Sequence, residues 1–424
     1  MTLSCRNGRS DSLVVEGRVV DPTEGIDECL AVTVEDGVIV RIEPAGSSRT
    51  VVAPAFVDPH VHLRTPGRED EETIASGTAA AAAGGYCALL AMPNTDPVVD
   101  SAAVLGSLVE RATEEALVPT GFLAAISKGQ HGEQLTEMVE LAEAGAAAFT
   151  DDGRPVVSAG LMRRALQYAA VAGRPLSLHE EEPSLSRDGQ MHEGAVSADL
   201  GLAGWPSVAE AAMVERDVTL AAYEQRVLHI MHVSALESVH AIQAAHSRGV
   251  GVTAEVTPHH LCLTDDAVRS LDANTKMNPP VRSDEHRAAL VEALRAGAIA
   301  CIATDHAPHA RQEKDAPFEE APFGVTGLET AFSALYTRLV EPGVIPLETI
   351  LERMSAGPAR VFGLPVPRIA VGERANLVVL DLDAEWTVDE GGFRSRSANS
   401  WLLGARLRGK VTRTVADGRQ VYAA

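Results

Sequence analysis

Between about residue 54 and residue 365 the chain repeats one unit eight times: a short apolar run ending in polar or small residues, then a helix-like stretch. The runs lie at 55–62, 86–94, 121–127, 146–152, 175–179, 227–234, 251–260 and 299–306. Helix-patterned stretches separate them, as at 71–83, 133–144, 160–171, 235–248 and 285–296. Strands that alternate with helices pair in parallel, because each crossover helix returns the chain to the same end of the sheet. Eight such units close a parallel sheet, so the expected fold is α/β, a (β/α)8 TIM barrel. Such a barrel builds its site from the C-terminal ends of its strands. Chemistry-bearing side chains should therefore gather where the apolar runs stop.

The two ends of the chain read differently. Residues 1–53 carry alternating segments at 12–20 and 30–42 between Asp-Pro and Asp-Gly turns, and from 369 the texture returns at 376–380, 400–403 and 411–415. Short strands at both ends of one central block predict a small β-sandwich domain assembled from 1–53 plus 366–424, flanking a barrel over 54–365. A net charge of −23 without any basic tract argues against nucleic acid or an anionic membrane surface as partner, since both are bound through clustered Lys and Arg. No apolar run approaches the roughly 18 residues of a membrane span, and the first residues show no signal-peptide core. Five scattered cysteines without CxxC spacing fit reduced thiols, so the expected location is cytoplasmic.

The run ends do concentrate ligand chemistry. The first stops at Val57-Asp58-Pro59-His60-Val61-His62, and residues i and i+2 of a strand face the same way, so His60 and His62 project together. Taken alone they are also compatible with two unrelated histidines. The fourth run stops at Asp151-Asp152-Gly153, a pattern equally common in solvated turns. His179 ends the fifth run, His232 the sixth and Thr304-Asp305-His306 the eighth. Five strands delivering His or Asp to one rim make a metal site the economical reading. Four His and two Asp exceed the needs of one catalytic zinc but suit two metals about 3.5–4 Å apart, bridged by a carboxylate and a hydroxide. The implied chemistry is attack of water on a carbonyl, with Asp305 placed as proton shuttle.

The segments His60-Val61-His62-Leu63-Arg64, Met92-Pro93-Asn94-Thr95, Phe149-Thr150-Asp151-Asp152-Gly153, Met277-Asn278-Pro279-Pro280 and Asp305-His306-Ala307-Pro308-His309 follow one another along the whole chain. In that order they resemble the motifs of dihydroorotases of the bacterial class I type, within the amidohydrolase superfamily. The resemblance implies two Zn²⁺ per chain: one held by His60, His62 and Asp305, the other by His179 and His232, with Asp152 spanning both. It further implies that Arg64, Asn94 and His309 bind the substrate's carboxylate, and that Asn278 and the backbone around Pro322, Phe323 and Gly324 meet the amide edges of the ring. A planar guanidinium fork and a directional amide suit a carboxylate, although a surface salt bridge is the plain alternative for Arg64. Many relatives bridge their metals with a carboxylated lysine after the fourth strand, where this chain has none; Lys128, after the third, is the nearest in sequence.

The implied reaction is the reversible cyclisation of N-carbamoyl-L-aspartate to L-dihydroorotate in pyrimidine synthesis. Homodimers and a complex with aspartate carbamoyltransferase belong to the same expectation. Two rivals stand beside it: a hydantoinase or allantoinase, and an inactive homologue that scaffolds the carbamoyltransferase. The chain departs from the family pattern at Thr65, where Glu commonly follows the Arg, and at Glu180-Glu181-Glu182, where a Cys-Glu-Asp-like stretch is usual. Residues 310–321 read equally as a mobile loop over the site or as a solvated excursion. Glu255, His259 and His260 read better as supports for the ligands than as ligands.

Overall fold

The computed structural model of the chain describes residues 1–424. The strands Phe56–Val61, Tyr86–Ala91 and Thr120–Phe122 pair in parallel, as do Leu176–Leu178, Leu228–Ile230, Val252–Val256 and Cys301–Ile302. Between these two groups the fourth run contributes a bridge through Phe149 alone, which pairs with Ala124 on one side and Leu176 on the other. Thr150 N donates to Ala124 O at 2.9 Å and Ser177 N to Phe149 O at 2.9 Å, so the fourth position is filled and hydrogen-bonded on both sides. Its flank, Ala146–Ala148, is all alanine, which has low strand preference and no branched surface to pack.

The circle closes between the eighth run and the first. Val61 bridges His306, and His62 N donates to His306 O at 2.9 Å. Asp58, fully buried, knits the same seam by accepting from Thr304 N at 3.2 Å and Thr304 Oγ1 at 2.6 Å. The expected barrel is therefore present and complete. Helices cover it, among them Ile74–Ala83, Ala159–Ala172, Leu236–Ser247 and Asp284–Ala296. The first starts three residues later than its pattern suggests, because Thr73 caps it reciprocally with Ser76, and Glu72 Oε1 joins the cap by accepting from Thr73 N at 3.2 Å.

Both termini build one continuous seven-stranded sheet. Its order runs Arg419–Ala423, Arg406–Ala416, Leu377–Thr387, Thr50–Pro54, Leu13–Asp21, Ile26–Glu35, Val38–Pro44. The sheet curls until its far edge meets the lead-in to Leu377–Thr387: Val38 bridges Arg374, and Ile39 N donates to Glu373 O at 2.9 Å. Inside the curl Val19, Val32, Ile39, Val52, Leu377 and Val415 form a core of their own. The sandwich arises from one folded sheet, and the segment 30–42 is two strands parted by a turn at Asp36-Gly37.

Two stretches depart from the sequence reading. Residues 400–403 form a turn rather than a strand, since the Ser400 hydroxyl accepts from Leu402 N at 3.2 Å and draws the chain back on itself. Residues 395–399 return to the barrel mouth: Asn399 Oδ1 accepts from His309 N at 3.0 Å, and its Nδ2 donates to Ala307 O and Gly324 O. The first residues also lie on the barrel, with Ser4 bridging Thr120. No helix is long and apolar enough to cross a membrane.

Candidate metal centre and substrate cavity

Five of the eight run ends deliver a candidate ligand to one spot. Nε2 of His62 lies 3.1 Å from Asp305 Oδ1, and Nε2 of His60 lies 3.5 Å from the same oxygen. On the other side Nδ1 of His179 faces Nε2 of His232 at 2.9 Å, the two rings crossing at 82°. Asp152 stands between these groups. Its Oδ1 is 3.7 Å from His60 Nε2, 3.5 Å from His179 Nδ1 and 3.7 Å from His232 Nε2, and its Oδ2 is 3.6 Å from His62 Nε2. One carboxylate thus reaches all four imidazoles, the position a bridging ligand needs. His232 and Asp305 hold φ of 31° and 47°, so the backbone twists out of the extended region to turn both side chains inward.

The donor set fits metal ions. Nε2 of His60 is buried and has no hydrogen-bond partner, although it points between two carboxylates. Burial pushes the His60 imidazole down, yet Asp305, Glu255 and Asp152 outweigh it and raise it to about 10. His179, pushed down by burial, is likewise raised to about 10 by Asp152 and Glu181. Burial alone would lift both aspartates, but neighbouring imidazoles hold Asp152 and Asp305 well below the usual carboxylate range. A buried cluster of this kind calls for positive charge, which imidazole nitrogens and carboxylate oxygens supply best by binding a cation such as Zn²⁺.

The supports are as specific as the ligands. Glu255 presents one oxygen 2.8 Å from His60 Nδ1 and the other 3.0 Å from His229 Nε2, so His60 holds a proton on Nδ1 and a bound cation would meet its inner nitrogen. Glu181 does the same for His179, with Oε2 at 3.1 Å from Nε2. In sequence, Glu181 is marked only as part of the Glu180-Glu181-Glu182 departure, and no role is assigned to it there. His260 spends Nδ1 on Thr257 Oγ1 and Nε2 on the Pro279 carbonyl, a structural role. Asp151 faces away from the cluster and accepts from Ile126 N and Ser127 N, which separates the two members of the Asp pair. Lys128 is half-exposed near Glu137 and does not line the site.

Beside the cluster lies a cavity of about 200 Å³. Arg64, Asn94, Asn278, His309, Phe323 and Gly324 all line it, but Pro322 does not; the Pro322 carbonyl instead accepts from Lys314 Nζ at 2.8 Å. Arg64 is buried, not a surface ion pair: Nε donates to Pro308 O at 3.1 Å, and Glu71 Oε2 lies 3.0 Å away. Burial raises the Glu71 carboxyl to about 7, against the opposing pull of Arg64 and Arg68. Asn94 joins ligands to one another, with Oδ1 2.9 Å from His62 Nδ1 and Nδ2 donating to Asp152 Oδ2 at 3.1 Å. Asn278 Oδ1 is buried with no partner. His309 Nε2 donates to Phe323 O at 2.8 Å, and burial, with Arg64 and Lys314 nearby, pushes this imidazole down to about 2. Gly324 holds φ at +123°, and a Cβ there would stand 2.8 Å from Ala307 Cβ. Arg68, which the sequence reading did not single out, also lines the cavity.

Known proteins match the chain from end to end. Residues 49–238 match the family model described as dihydro-orotase-like, and residues 207–422 match the amidohydrolase family model. Proteins named dihydroorotase from Anaeromyxobacter dehalogenans and Geobacter metallireducens are 48% and 45% identical to the chain; each match spans 97% of it, and 98% and 99% of the relative. The chain belongs to the dihydroorotase family. Among solved structures, the L-hydantoinase (dihydropyrimidinase) of Arthrobacter aurescens superposes with a TM-score of 0.86 at 26% identity, over 97% of this chain and 96% of that one. The dihydropyrimidinase of Brevibacillus agri shares the fold, with a TM-score of 0.82 at 21% identity, over 97% of this chain and 95% of that one. The acidic stretch after His179 has distinct contacts. Of Glu180-Glu181-Glu182, the middle residue orients His179, while Glu182 caps the short helix Pro183–Ser186 by accepting from Ser184 N.

Proposed function

We propose that the protein is a dihydroorotase that interconverts N-carbamoyl-L-aspartate and L-dihydroorotate through a binuclear zinc site. The observation that carries this reading is a cluster of four imidazoles and two carboxylates opening onto a small cavity walled by a buried arginine. His60, His62 and Asp305 would hold one ion, His179 and His232 the other, and Asp152 both. Bound there, the ions would polarise the ring amide carbonyl and lower the pKa of the attacking water.

The chain's own residues do the rest. Arg64 and His309, whose Nη2 and Nε2 lie 3.4 Å apart, mark where the ring's carboxylate sits, with Asn94 beside them. The unpartnered Asn278 Oδ1 accepts a ring N–H, and the backbone at Phe323 and Gly324 meets the neighbouring amide edge. Asp305, ionised and aimed into the cluster, takes the proton of the attacking water and passes it to the leaving amide nitrogen; ring closure runs the same transfer backwards. A homodimer and a complex with aspartate carbamoyltransferase complete the proposal, both readable from mass in solution.

The test is ring opening of L-dihydroorotate, followed by its ultraviolet absorbance, on protein whose zinc content is measured in parallel. Turnover lost with chelator and restored by zinc is expected. Full metal loading without turnover would point to another cyclic amide such as hydantoin, and absence of both to a scaffolding role.

A further inference from the structure

We propose that Arg68 is a second guanidinium of the carboxylate subsite, and that Glu313 keeps its place until substrate arrives. This rests on the dihydroorotase reading. Arg68 N donates to Arg64 O at 3.0 Å, so the two residues stand one turn apart and bring both guanidinium groups to the same mouth. They are the only Arg or Lys side chains lining the cavity. Two cations face one buried carboxylate, Glu71, which lies 3.0 Å from Arg64 Nε and pairs with Arg68 Nη2. Glu313 is the second carboxylate within reach, so a positive charge becomes available to a substrate carboxylate only when the 3.5 Å contact from Arg68 to Glu313 is given up.

Arg68 is built to move where Arg64 is not. Its side chain is 40% exposed against 7% for Arg64. Its protein contacts run through Nη2 alone, to Glu71 and, at 3.5 Å, to Glu313 Oε1, so Nε and Nη1 have no protein partner. Glu313 is the remaining anion at this spot, 32% exposed, with its other oxygen accepting from Ala310 N at 2.9 Å. An incoming carboxylate replaces the long Glu313 contact with a bidentate one, which a guanidinium offers and an ammonium does not.

Arg68→Met, Arg68→Lys and Glu313→Gln test this, with zinc content required to match the parent. Arg68→Met is expected to raise the KM for dihydroorotate about 10–100-fold, the loss of one charge-assisted pair, with kcat within about threefold. The fall in kcat/KM must be equal in both directions, because the overall equilibrium is unaltered. Arg68→Lys should recover part of the loss, and Glu313→Gln should lower KM by removing the competitor. A KM for Arg68→Met within threefold of the parent, a loss confined to kcat, or a rise in KM for Glu313→Gln overturns the proposal. A parent enzyme inert towards dihydroorotate would instead overturn the reaction assigned above.

Discussion

Glu255→Gln isolates what the buried supports contribute to the metal centre. The parent carboxylate holds two histidines at once, His60 Nδ1 at 2.8 Å and His229 Nε2 at 3.0 Å, and all three side chains are about 1% exposed. Burial opposes its charge, but His229 and His60 more than compensate and hold it down to about 2. A glutamine of the same shape has one acceptor oxygen and one amide that only donates. One of the two histidines therefore loses its acceptor. Losing a hydrogen bond to a charged group costs about 1.5–3 kcal/mol, which is roughly 10–150-fold in an equilibrium constant. Outer partners of metal-bound histidines are commonly worth about 10–100-fold in affinity, the same range.

The assay is competition for zinc against a chromogenic chelator, with turnover measured alongside. Glu255→Gln should release zinc at about 10–100-fold lower chelator concentration. The carboxylate's pKa lies below its unfolded value of about 4.3, so its contribution is complete above that pH and is lost only as pH falls towards 2. The deficit should accordingly be present throughout pH 6 to 9. Zinc affinity within threefold of the parent, or a deficit that appears only on acidification, would refute the argument that Glu255 fixes the His60 tautomer.

Other expectations follow from the same geometry. Asp305→Asn should cost about 10²–10⁴-fold in turnover, the usual worth of a positioned proton-transfer group; retention of more than a tenth of activity would remove it from that role. Chelator should abolish turnover and lower the melting temperature, and zinc at 100 times its Kd should restore about 2.7 kcal/mol for each site it fills, read by calorimetry. Gly324→Ala sets a Cβ 2.8 Å from Ala307 and 3.1 Å from His309 Nε2 at a φ of +123°, so a loss of about 1–3 kcal/mol and a raised KM are expected from denaturant melts and kinetics. Glu329 accepts from Arg394 N and Ser395 N, and burial raises it to about 7. Its folded pKa exceeds the unfolded value, so parent stability should fall as pH rises from about 4.5 to 7. Glu329→Gln should gain on the parent across that window by on the order of 2 kcal/mol, and parallel pH profiles in urea would count against it.

The barrel and the clustering of the candidate ligands were legible because both follow from short-range rules. A strand period of two puts His60 and His62 on one face, and run ends must fall on one rim once eight strands close. Glu255 reads as a support in sequence, but which residue it supports depends on distance in the chain, as does the role of Asn399. Glu255 meets His60 across 195 residues and Asn399 meets His309 across 90, and no local period reports either meeting. The strand expected at 400–403 failed for a related reason: apolar Leu402 and Leu403 fit a strand, but the Ser400 hydroxyl supplies a competing local bond. Arg68 is the instructive case. In sequence it is one charge in a charged stretch, Arg68-Glu69-Asp70-Glu71-Glu72, whose ordinary reading is a solvated surface. Folding sorts that stretch by burial: Glu71 and Glu72 are buried, Glu72 within 3.1 Å of His306 Nε2, while Glu69 and Asp70 stay near solvent and Arg68 is left between. The Glu71 that pairs with Arg68 is the one that faces Arg64, so the charges at Arg64 and Arg68 become parts of one arrangement around a single buried carboxylate.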